Sequence, residues 1–387
     1  MKYRFCFWPS IANGRECTSL RIFEPVQIAR TELRNRIVLP PMVTNWARKD
    51  EFPSDKNVRF YKRVAKGGVG TIITEAMNVV PSVRIAARQM GIYNGKFVDG
   101  LKRITAAVKP YQARIFSQLV HGGPRSAVGD CVSPSGVPIK ETKPRILERD
   151  EIFDIIHRFV EAAKIAERSG FDGVELHAAH FYLLSAFLSP FTNRREDEFG
   201  GSAHKNSRIV REIIRRIKNE IGPDFPVTCR INAFESVDRG IGLQFAAHLS
   251  RDLEAGGADA IHASAYVIHI PSSTRGGPAV PMGGPPTNRD PQGCFVKYAE
   301  NVKGAVSVPV IAVGKIYDPI FAEEVLKERK ADLVALGRQL LADPDWATKV
   351  RQGRACEINW CVYCSACSAR LREGNDVVCV RNSDLGK

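Results

Sequence analysis

Eight short apolar runs recur along the chain and alternate with helix-like stretches. The runs lie at 36–40, 70–74, 115–120, 172–176, 227–231, 260–263, 308–313 and 332–336. Short, continuous apolar runs of this kind are typical of strands that are buried on both faces. The clearest helical pattern, 150–169, carries an apolar stripe at a spacing of three and four residues and ends at Gly170. Eight strands alternating with helices predict an α/β protein, a (β/α)8 TIM barrel.

The composition allows a large core and argues against two classes of partner. The chain has 387 residues, of which 44% are hydrophobic, but no run of eighteen apolar residues that would span a membrane. Its start lacks the apolar stretch of a secretory signal, so we expect a cytoplasmic protein. The net charge of +14 is dispersed rather than interleaved with aromatic residues, which indicates a solvated surface and no nucleic-acid partner. The same charge would help attract an anionic substrate or an acidic redox partner.

The predicted organisation has three parts. Residues 1–22 show no clear period and are predicted to be an extension; residues 23–345 form the barrel, and 346–387 form a Cys-rich segment. A Gly- and Pro-rich stretch at 271–293 follows the sixth strand. Loops at this end of barrel strands carry function, so we expect it to cover the substrate site; an inert surface excursion is the alternative.

Two histidines and a tyrosine follow the fourth predicted strand. A helical turn after that strand would place His177 and His180 on one face, because residues three apart are neighbours. Two neutral imidazoles aimed at one point suit an oxygen that gains negative charge during a reaction. Tyr182 is close enough in sequence to act as a proton donor. The alternatives are structural histidines or a metal pair, but no carboxylate lies at helical spacing to complete a metal site.

The ends of the last two strands carry a phosphate-binding pattern. Gly314 and Lys315 follow the seventh strand, and Gly337 and Arg338 follow the eighth. Glycine lets backbone N–H groups approach an anion, and arginine can bind two of its oxygens at once. Many barrels bind phosphate at this position.

Half of the ten cysteines fall near the C-terminus. Cys361, Cys364 and Cys367 are separated by two residues each, and Cys379 follows. This spacing predicts a [4Fe–4S] cluster, with zinc as the main rival because four thiolates also satisfy zinc. Cys356 is not counted as a ligand. The scattered cysteines are predicted to be ordinary thiols: Cys6, Cys17, Cys131, Cys229 and Cys294.

The HAAH pair with Tyr182, followed by FLSPFTNRREDEFGGS, resembles the old yellow enzyme family. Within it, the chain resembles the iron–sulfur branch that contains dienoyl-CoA reductase, 2-enoate reductase and trimethylamine dehydrogenase, over about Phe23 to Cys379. Two departures are visible. Phe181 stands where the family usually has glycine, and we expect its ring to narrow the pocket or shift Tyr182. The second cysteine gap is two residues rather than the usual three.

The resemblance implies FMN as the cofactor, with its phosphate at the GK and GR positions above. Matching motifs imply that the ring is contacted by Pro41, Met42, Val43, Ala76, Gln118 and Arg230. Gln118 would hydrogen-bond the pyrimidine edge of the flavin, and Arg230 would face the N1 region of the flavin. An arginine inside a barrel needs a negative partner. Many relatives carry cysteine or threonine at the place of Val43, so any flavin tuning there would pass to Thr44.

The activity that the resemblance implies is reduction of a C=C bond conjugated to a carbonyl. His177 and His180 would hold the carbonyl oxygen, reduced FMN would supply hydride, and Tyr182 would protonate the α-carbon. One alternative is an amine dehydrogenase or demethylase of the trimethylamine dehydrogenase type. That relative carries tyrosine at the position of His177, so the histidine favours the reductase. A non-catalytic flavin and iron–sulfur electron-transfer subunit is the other alternative, which the complete HAAH-x-Y group disfavours.

The resemblance also implies an electron supplier. Larger members of the branch continue into FAD- and NAD(P)H-binding domains, whereas here the sequence stops at Lys387 and no GxGxxG follows a strand. We therefore expect NAD(P)H to act through a separate FAD/NAD(P)H-binding or ferredoxin-like protein. The expected substrate is a small enoate, enone or enoyl thioester, and a homo-oligomer is compatible with the sequence.

Overall fold

The computed structural model describes residues 20–81, 83–139, 143–267 and 285–387. Most of the predicted 1–22 extension lies outside the described residues, as does most of the predicted covering loop at 271–293. No described helix is both long and apolar enough to cross a bilayer.

All eight predicted strands form a closed parallel barrel. They are β1 (Ile37–Leu39), β2 (Thr71–Ile73), β3 (Arg114–Val120), β4 (Gly173–Ala178), β5 (Val227–Glu235), β6 (Ala260–Tyr266), β7 (Val310–Ala312) and β8 (Leu333–Ala335). Each strand pairs in parallel with the next, and β8 pairs with β1 through Val334 and Ile37, which closes the ring. The predicted (β/α)8 TIM barrel is confirmed.

A helix follows each barrel strand and packs outside the ring. These helices are Asp55–Lys66, Val98–Val108, Arg149–Arg168, Arg208–Ile221, Leu243–Ala255, Val296–Lys303, Pro319–Lys327 and Trp346–Arg351. Shorter helices are inserted after β4 and β8, at Leu183–Leu188, Ala203–Asn206 and Gly337–Ala342. The amphipathic stretch predicted at 150–169 is the third helix, and Gly170 follows it with φ +81°, a left-handed conformation that glycine adopts without strain.

The barrel interior changes from apolar to polar along its axis. At the N-terminal end of the strands, a buried cluster joins interior residues such as Val38 and Phe116 to Ile28 and Leu33. Those last two belong to an antiparallel hairpin, Val26–Ile28 with Thr31–Leu33, which closes this end of the barrel. Further along the strands the interior carries buried polar side chains: Gln118, Glu175, Arg230 and His262. The polar end is the one where TIM barrels place their active sites.

The C-terminal segment folds back over the polar end of the barrel. The Val377 amide donates to the carbonyl of Thr44 at 3.0 Å, and the Asn45 side-chain amide donates to the carbonyl of Asn375 at 3.1 Å. The helix Trp346–Arg351, which begins the predicted Cys-rich segment, buries Trp346 completely against the barrel. The three-part division of the chain stays a prediction.

Candidate active site

A cavity of about 400 Å³ opens at the C-terminal ends of the strands. Its lining includes every residue predicted to contact the flavin or the substrate: Pro41, Met42, Val43, Ala76, Gln118, His177, His180, Tyr182, Arg230, Gly314, Lys315, Gly337 and Arg338. Because these residues come from seven different strand ends, only the closed barrel brings them together. The size is that of a typical small-molecule or cofactor site.

One end of the cavity is lined by two cationic side chains and two glycines. Gly314 has φ +120°, and a Cβ there would lie 2.7 Å from the Cβ of Phe295, so no other residue fits. The Arg338 guanidinium and the Lys315 ammonium lie 4.7 and 4.9 Å from the ring centre of Tyr363. Arg338 donates through Nη2 to the carbonyl of Pro286, while its buried Nη1 has no partner among the described residues. This end suits a phosphate group.

The middle of the cavity combines an apolar wall with polar groups that a ligand would satisfy. Met42, Val43 and Ala76 supply the wall. Arg230 is only 8% exposed, and its buried Nε also lacks a partner in the described part of the chain. Leaving a buried charged donor unpaired costs free energy, so a ligand with acceptor atoms is favoured here. FMN fits this arrangement: an apolar wall and the Gln118 amide for its ring, Arg230 beside the ring, and Lys315 and Arg338 at the phosphate end.

Thr44, to which any flavin tuning lost at Val43 would pass, lines the cavity and is also hydrogen-bonded to a buried carboxyl group. Its hydroxyl donates to Glu75 at 2.9 Å, and its amide donates to the same carboxyl group at 2.8 Å. Burial raises the pKa of Glu75 to about 7. The Thr44 hydroxyl group is thus already hydrogen-bonded to Glu75 behind the cavity wall.

His177 and His180 meet, but not through the predicted helical turn. His177 lies inside β4, and the chain beyond the strand takes left-handed φ angles at His180 (+63°) and Phe181 (+57°). The helical-turn prediction was wrong because β4 continues to Ala178 and two left-handed residues reverse the chain. The two rings nevertheless lie edge to face with centres 5.2 Å apart.

Burial keeps both imidazoles neutral. It lowers the pKa of His177 and of His180 well below the usual value, and the positive charge of Arg230 lowers both further. Ser264 Oγ lies 2.9 Å from His180 Nε2 and holds that ring. The buried Nδ1 of His177 has no partner among the described residues. As neutral rings, the two histidines can donate N–H hydrogen bonds to a ligand oxygen.

Tyr182 stands beside the histidine pair. It precedes the helix Leu183–Leu188, and its ring centre lies 4.9 Å from that of His177. The Arg125 guanidinium lies 5.1 Å from the Tyr182 ring and donates to the carbonyl of His180 at 2.5 Å. The short turn Gly123–Arg125, which follows β3, thus ties down the loop that carries the pair.

Phe181 does not narrow the cavity in the way expected. Its side chain is fully buried, is absent from the described lining and packs edge to face on Tyr266 at 4.7 Å. A left-handed φ costs roughly 1 kcal/mol for a residue other than glycine. Aromatic packing on the far side of the loop offsets this cost, and Tyr182 still reaches the cavity.

The four predicted ligand cysteines surround a second, smaller cavity. Cys361, Cys364, Cys367 and Cys379 all line it, whereas the exposed Cys356 does not. Within the described residues, no three His, Cys, Asp or Glu side chains are grouped closely enough to hold one metal ion. Thiolates on one zinc ion would stand roughly 3.8 Å apart, given tetrahedral Zn–S bonds of about 2.3 Å.

The two cavities share a wall. Arg338, Leu341, Tyr363 and Cys367 line both of them. The four cysteine thiols therefore lie directly beside the cavity that fits FMN, and Cys367 lines both cavities.

Sequence reasoning missed several residues of this site. Glu175 and His262 lie in β4 and β6, each two residues before another interior side chain, so the two-residue period of a strand could have identified them. Arg125 and Tyr363 lie in irregular segments where no periodic signal exists.

The described cavity lining carries positive charge and no carboxylate. Its charged side chains are Arg125, Arg230, Lys315, Arg338 and Arg372. Cations that converge on a low-dielectric cavity favour anions and developing negative charge, and they disfavour a cationic ligand.

Comparison with known proteins identifies a family and several relatives. The model of the NADH:flavin oxidoreductase / NADH oxidase family matches residues 21–357. An NADH oxidase of Thermoanaerobacter brockii is 40% identical over 352 residues, which cover 89% of this chain and 52% of that protein. A cinnamate reductase of Clostridium sporogenes is 31% identical over 401 residues, which cover 95% of this chain and 58% of that protein. The chain thus spans about half the length of these two relatives.

A solved structure with the same fold extends over nearly the whole chain. The 2-naphthoyl-CoA reductase in complex with 2-naphthoyl-CoA superposes with a TM-score of 0.86 at 24% identity. The superposition covers 95% of this chain and 57% of that one.

Proposed function

The chain belongs to the NADH:flavin oxidoreductase / NADH oxidase family, the old yellow enzyme family, and we propose that it is an FMN-dependent ene-reductase acting on α,β-unsaturated carbonyl compounds. One observation carries the proposal. The neutral histidine pair, Tyr182 and the residues that fit FMN all line one cavity. A relative that shares this family reduces cinnamate, as its name states.

The proposed chemistry divides between the cofactor and the chain. FMN, when bound and reduced, supplies the hydride for the β-carbon. His177 and His180 hold the carbonyl oxygen of the substrate, polarise the alkene and stabilise the negative charge that develops on that oxygen. Tyr182 holds the proton for the α-carbon. Arg338 and Lys315 bind the cofactor phosphate, and Arg230 stands where negative charge on the ring is stabilised.

The rival activities fit the geometry less well. A protonated amine would have to enter a cavity whose described charged residues are all cations, which costs Coulomb energy at low dielectric. A pure electron-transfer subunit gives no reason for two neutral imidazoles and a tyrosine to face the same space. A substrate panel discriminates between the three activities. We expect the artificially reduced holoprotein to convert enones and enoates above the background rate. We expect amines to leave the flavin of the oxidised holoprotein oxidised.

A [4Fe–4S] cluster held by Cys361, Cys364, Cys367 and Cys379 completes the proposal. Support comes from the four thiols around one cavity and from the wall that this cavity shares with the cofactor site. Four Cys thiolates hold either a [4Fe–4S] cluster or a structural zinc ion, so metal analysis has to distinguish the two. Bound there, it would supply single electrons to the flavin, received from NAD(P)H through a partner such as an FAD/NAD(P)H-binding or ferredoxin-like protein.

Anaerobically purified protein should contain about four irons and four acid-labile sulfides per chain. Cys364→Ser should lower the iron content, whereas Cys356→Ser should not, because Cys356 lies outside the thiol cavity. The measurement is iron, sulfide and zinc analysis of each variant. Stoichiometric zinc without iron in the wild-type protein would contradict the cluster.

Arg338→Ala should weaken FMN binding by roughly 10- to 100-fold, because a charge-assisted hydrogen bond contributes about 1.5–3 kcal/mol. Arg372→Ala is the matched control. This arginine lines the same cavity but is not part of the GK and GR pattern. FMN binding is measured by fluorescence quenching when apoprotein is titrated with FMN. Equal affinity in both variants would rule out the phosphate role of Arg338.

A further inference from the structure

Glu175 is a fully buried carboxyl group directly behind the cofactor cavity. It lies on β4, two residues before His177, and does not itself line the cavity. Its Oε1 accepts a hydrogen bond from Gln118 Nε2 at 2.8 Å, and its Oε2 lies 2.8 Å from His262 Nδ1. The group thus connects three strands of the barrel interior at the level where polar residues begin.

The same carboxylate acts on Arg230. Arg230 is opposite His177 in the register of β5 with β4, which places it one interior row above Glu175. Burial lowers the pKa of Arg230, and the negative charge of Glu175 is the largest influence that raises it. An arginine this deeply buried requires a counter-charge, because an uncompensated buried charge is strongly destabilising. Within the described residues, no carboxylate forms a direct salt bridge with Arg230, so the charge of Glu175 acts on it from the neighbouring interior row.

His262 does not neutralise the Glu175 carboxylate. Burial lowers the pKa of His262, so the ring is neutral. A neutral ring that donates from Nδ1 to Glu175 leaves Nε2 as an acceptor, and this buried atom has no partner among the described residues. Of the three hydrogen-bonded side chains Gln118, Glu175 and His262, only the Glu175 carboxyl group can carry a negative charge.

We propose that Glu175 is a positioning residue that sets the reduction potential of bound FMN by balancing the charge of Arg230 and fixing the Gln118 amide. The proposal rests on FMN occupying the cavity as proposed above. Two-electron reduction with uptake of one proton adds one negative charge to the flavin ring. Arg230 stabilises that charge, but Glu175 already compensates part of the arginine and repels further negative charge. The reduction potential of FMN in the wild-type protein is thus lower than it would be if Arg230 were present without the charge of Glu175.

The orientation of the Gln118 side-chain amide follows from its hydrogen bond to Glu175. Because Gln118 donates its Nε2 to Glu175, its Oε1 is free to accept from the cavity side. An acceptor there selects a ring edge that carries an N–H donor, which the pyrimidine part of a flavin does.

The test replaces Glu175 by glutamine, which keeps the volume and removes the charge. Glu175→Gln should raise the FMN potential by at least about 30 mV, a tenfold shift in the ratio of reduced to oxidised flavin for a two-electron couple. Glu175→Asp keeps the charge and should stay closer to the wild type. Potentials are measured by anaerobic dye equilibration, after the FMN content of each variant has been determined.

Glu235→Gln is the matched control. Glu235 is another buried carboxyl group, but its hydrogen-bond partners in the described part of the chain are neutral: Ser189 at 2.6 Å, Asn232 at 2.9 Å and the Ile241 amide at 3.1 Å. Its replacement should leave the potential unchanged. A Glu175→Gln protein that holds FMN with an unchanged or lower potential would overturn the inference. Absence of FMN from the wild-type protein would instead contradict the proposed function.

A folding readout covers the case in which Glu175→Gln alone is too unstable to hold FMN. The double variant Glu175→Gln/Arg230→Gln restores charge balance. It should therefore unfold at a higher denaturant concentration than Glu175→Gln as apoprotein. Equal or lower stability of the double variant would show that Glu175 does not balance Arg230.

Discussion

Tyr182→Phe should slow steady-state turnover of an enone by about 10²- to 10⁴-fold, the usual contribution of a positioned general acid. The substitution removes one hydroxyl and keeps the ring that packs 4.9 Å from His177 and below Arg125. Substrate should therefore still bind and still reoxidise reduced flavin in a single turnover. The two measurements are stopped-flow flavin absorbance and steady-state product formation, compared for the variant and the wild type.

The matched control is Tyr363→Phe. This tyrosine also lines the cofactor cavity, but it lies at the phosphate end between Lys315 and Arg338. The Tyr363→Phe variant should turn over the enone at a rate within a few-fold of the wild type. Full turnover in Tyr182→Phe would mean that another group or water protonates the α-carbon.

His177→Ala should reduce hydride transfer to an enone by about 10²- to 10³-fold, on the order of 3 kcal/mol, because one donor to the developing oxyanion is lost. Burial and Arg230 keep the pKa of His177 low, so the lost interaction is that of a neutral donor and should not depend on pH between about 6 and 8. Substrate affinity should fall as well. The rate and the affinity are both obtained from the substrate dependence of flavin reoxidation.

His248→Ala provides the control for histidine removal as such. His248 is exposed on the helix Leu243–Ala255, outside the barrel. Its replacement should change neither the rate nor the affinity. Normal binding and reduction by His177→Ala would exclude the histidine pair from catalysis.

The barrel could be predicted from the sequence because its signal is repeated. Each strand is a short apolar run followed by an amphipathic helix, and eight such units leave few alternatives. The phosphate end of the cavity was predictable for a related reason, whereas the other flavin contacts rested on the resemblance to the family. Residues such as Gly314 and Arg338 directly follow strands, and in a closed barrel all strand ends meet at the same rim.

The local path of the chain after β4 could not be predicted. Left-handed φ angles at His180 and Phe181 have no sequence signal, since both positions would normally favour glycine or asparagine. The packing of Phe181 on Tyr266, which turns the ring away from the cavity, depends on a strand that lies about 85 residues further along the chain. Pair contacts across the barrel, such as Glu175 with His262, are equally non-local.

The polar interior illustrates why function and stability conflict at this end of the barrel. Buried donors on Arg230 and Arg338 and the Nδ1 of His177 lack partners among the described residues. Each such group costs about 1–3 kcal/mol when it is not satisfied. We infer that cofactor and substrate atoms satisfy these groups, so that FMN binding should stabilise the fold as well as equip it for catalysis.

The most direct test of the account is a single turnover of holoprotein. The protein is loaded with FMN, photoreduced without oxygen and mixed in a stopped-flow instrument with a simple enone such as cyclohexenone. We predict that the flavin absorbance returns in proportion to the enone supplied and that one saturated ketone forms per flavin. An amine offered to the oxidised protein should leave the flavin oxidised. Reduced flavin that persists in the presence of enone, or flavin reduction by the amine, would contradict the assignment as an ene-reductase.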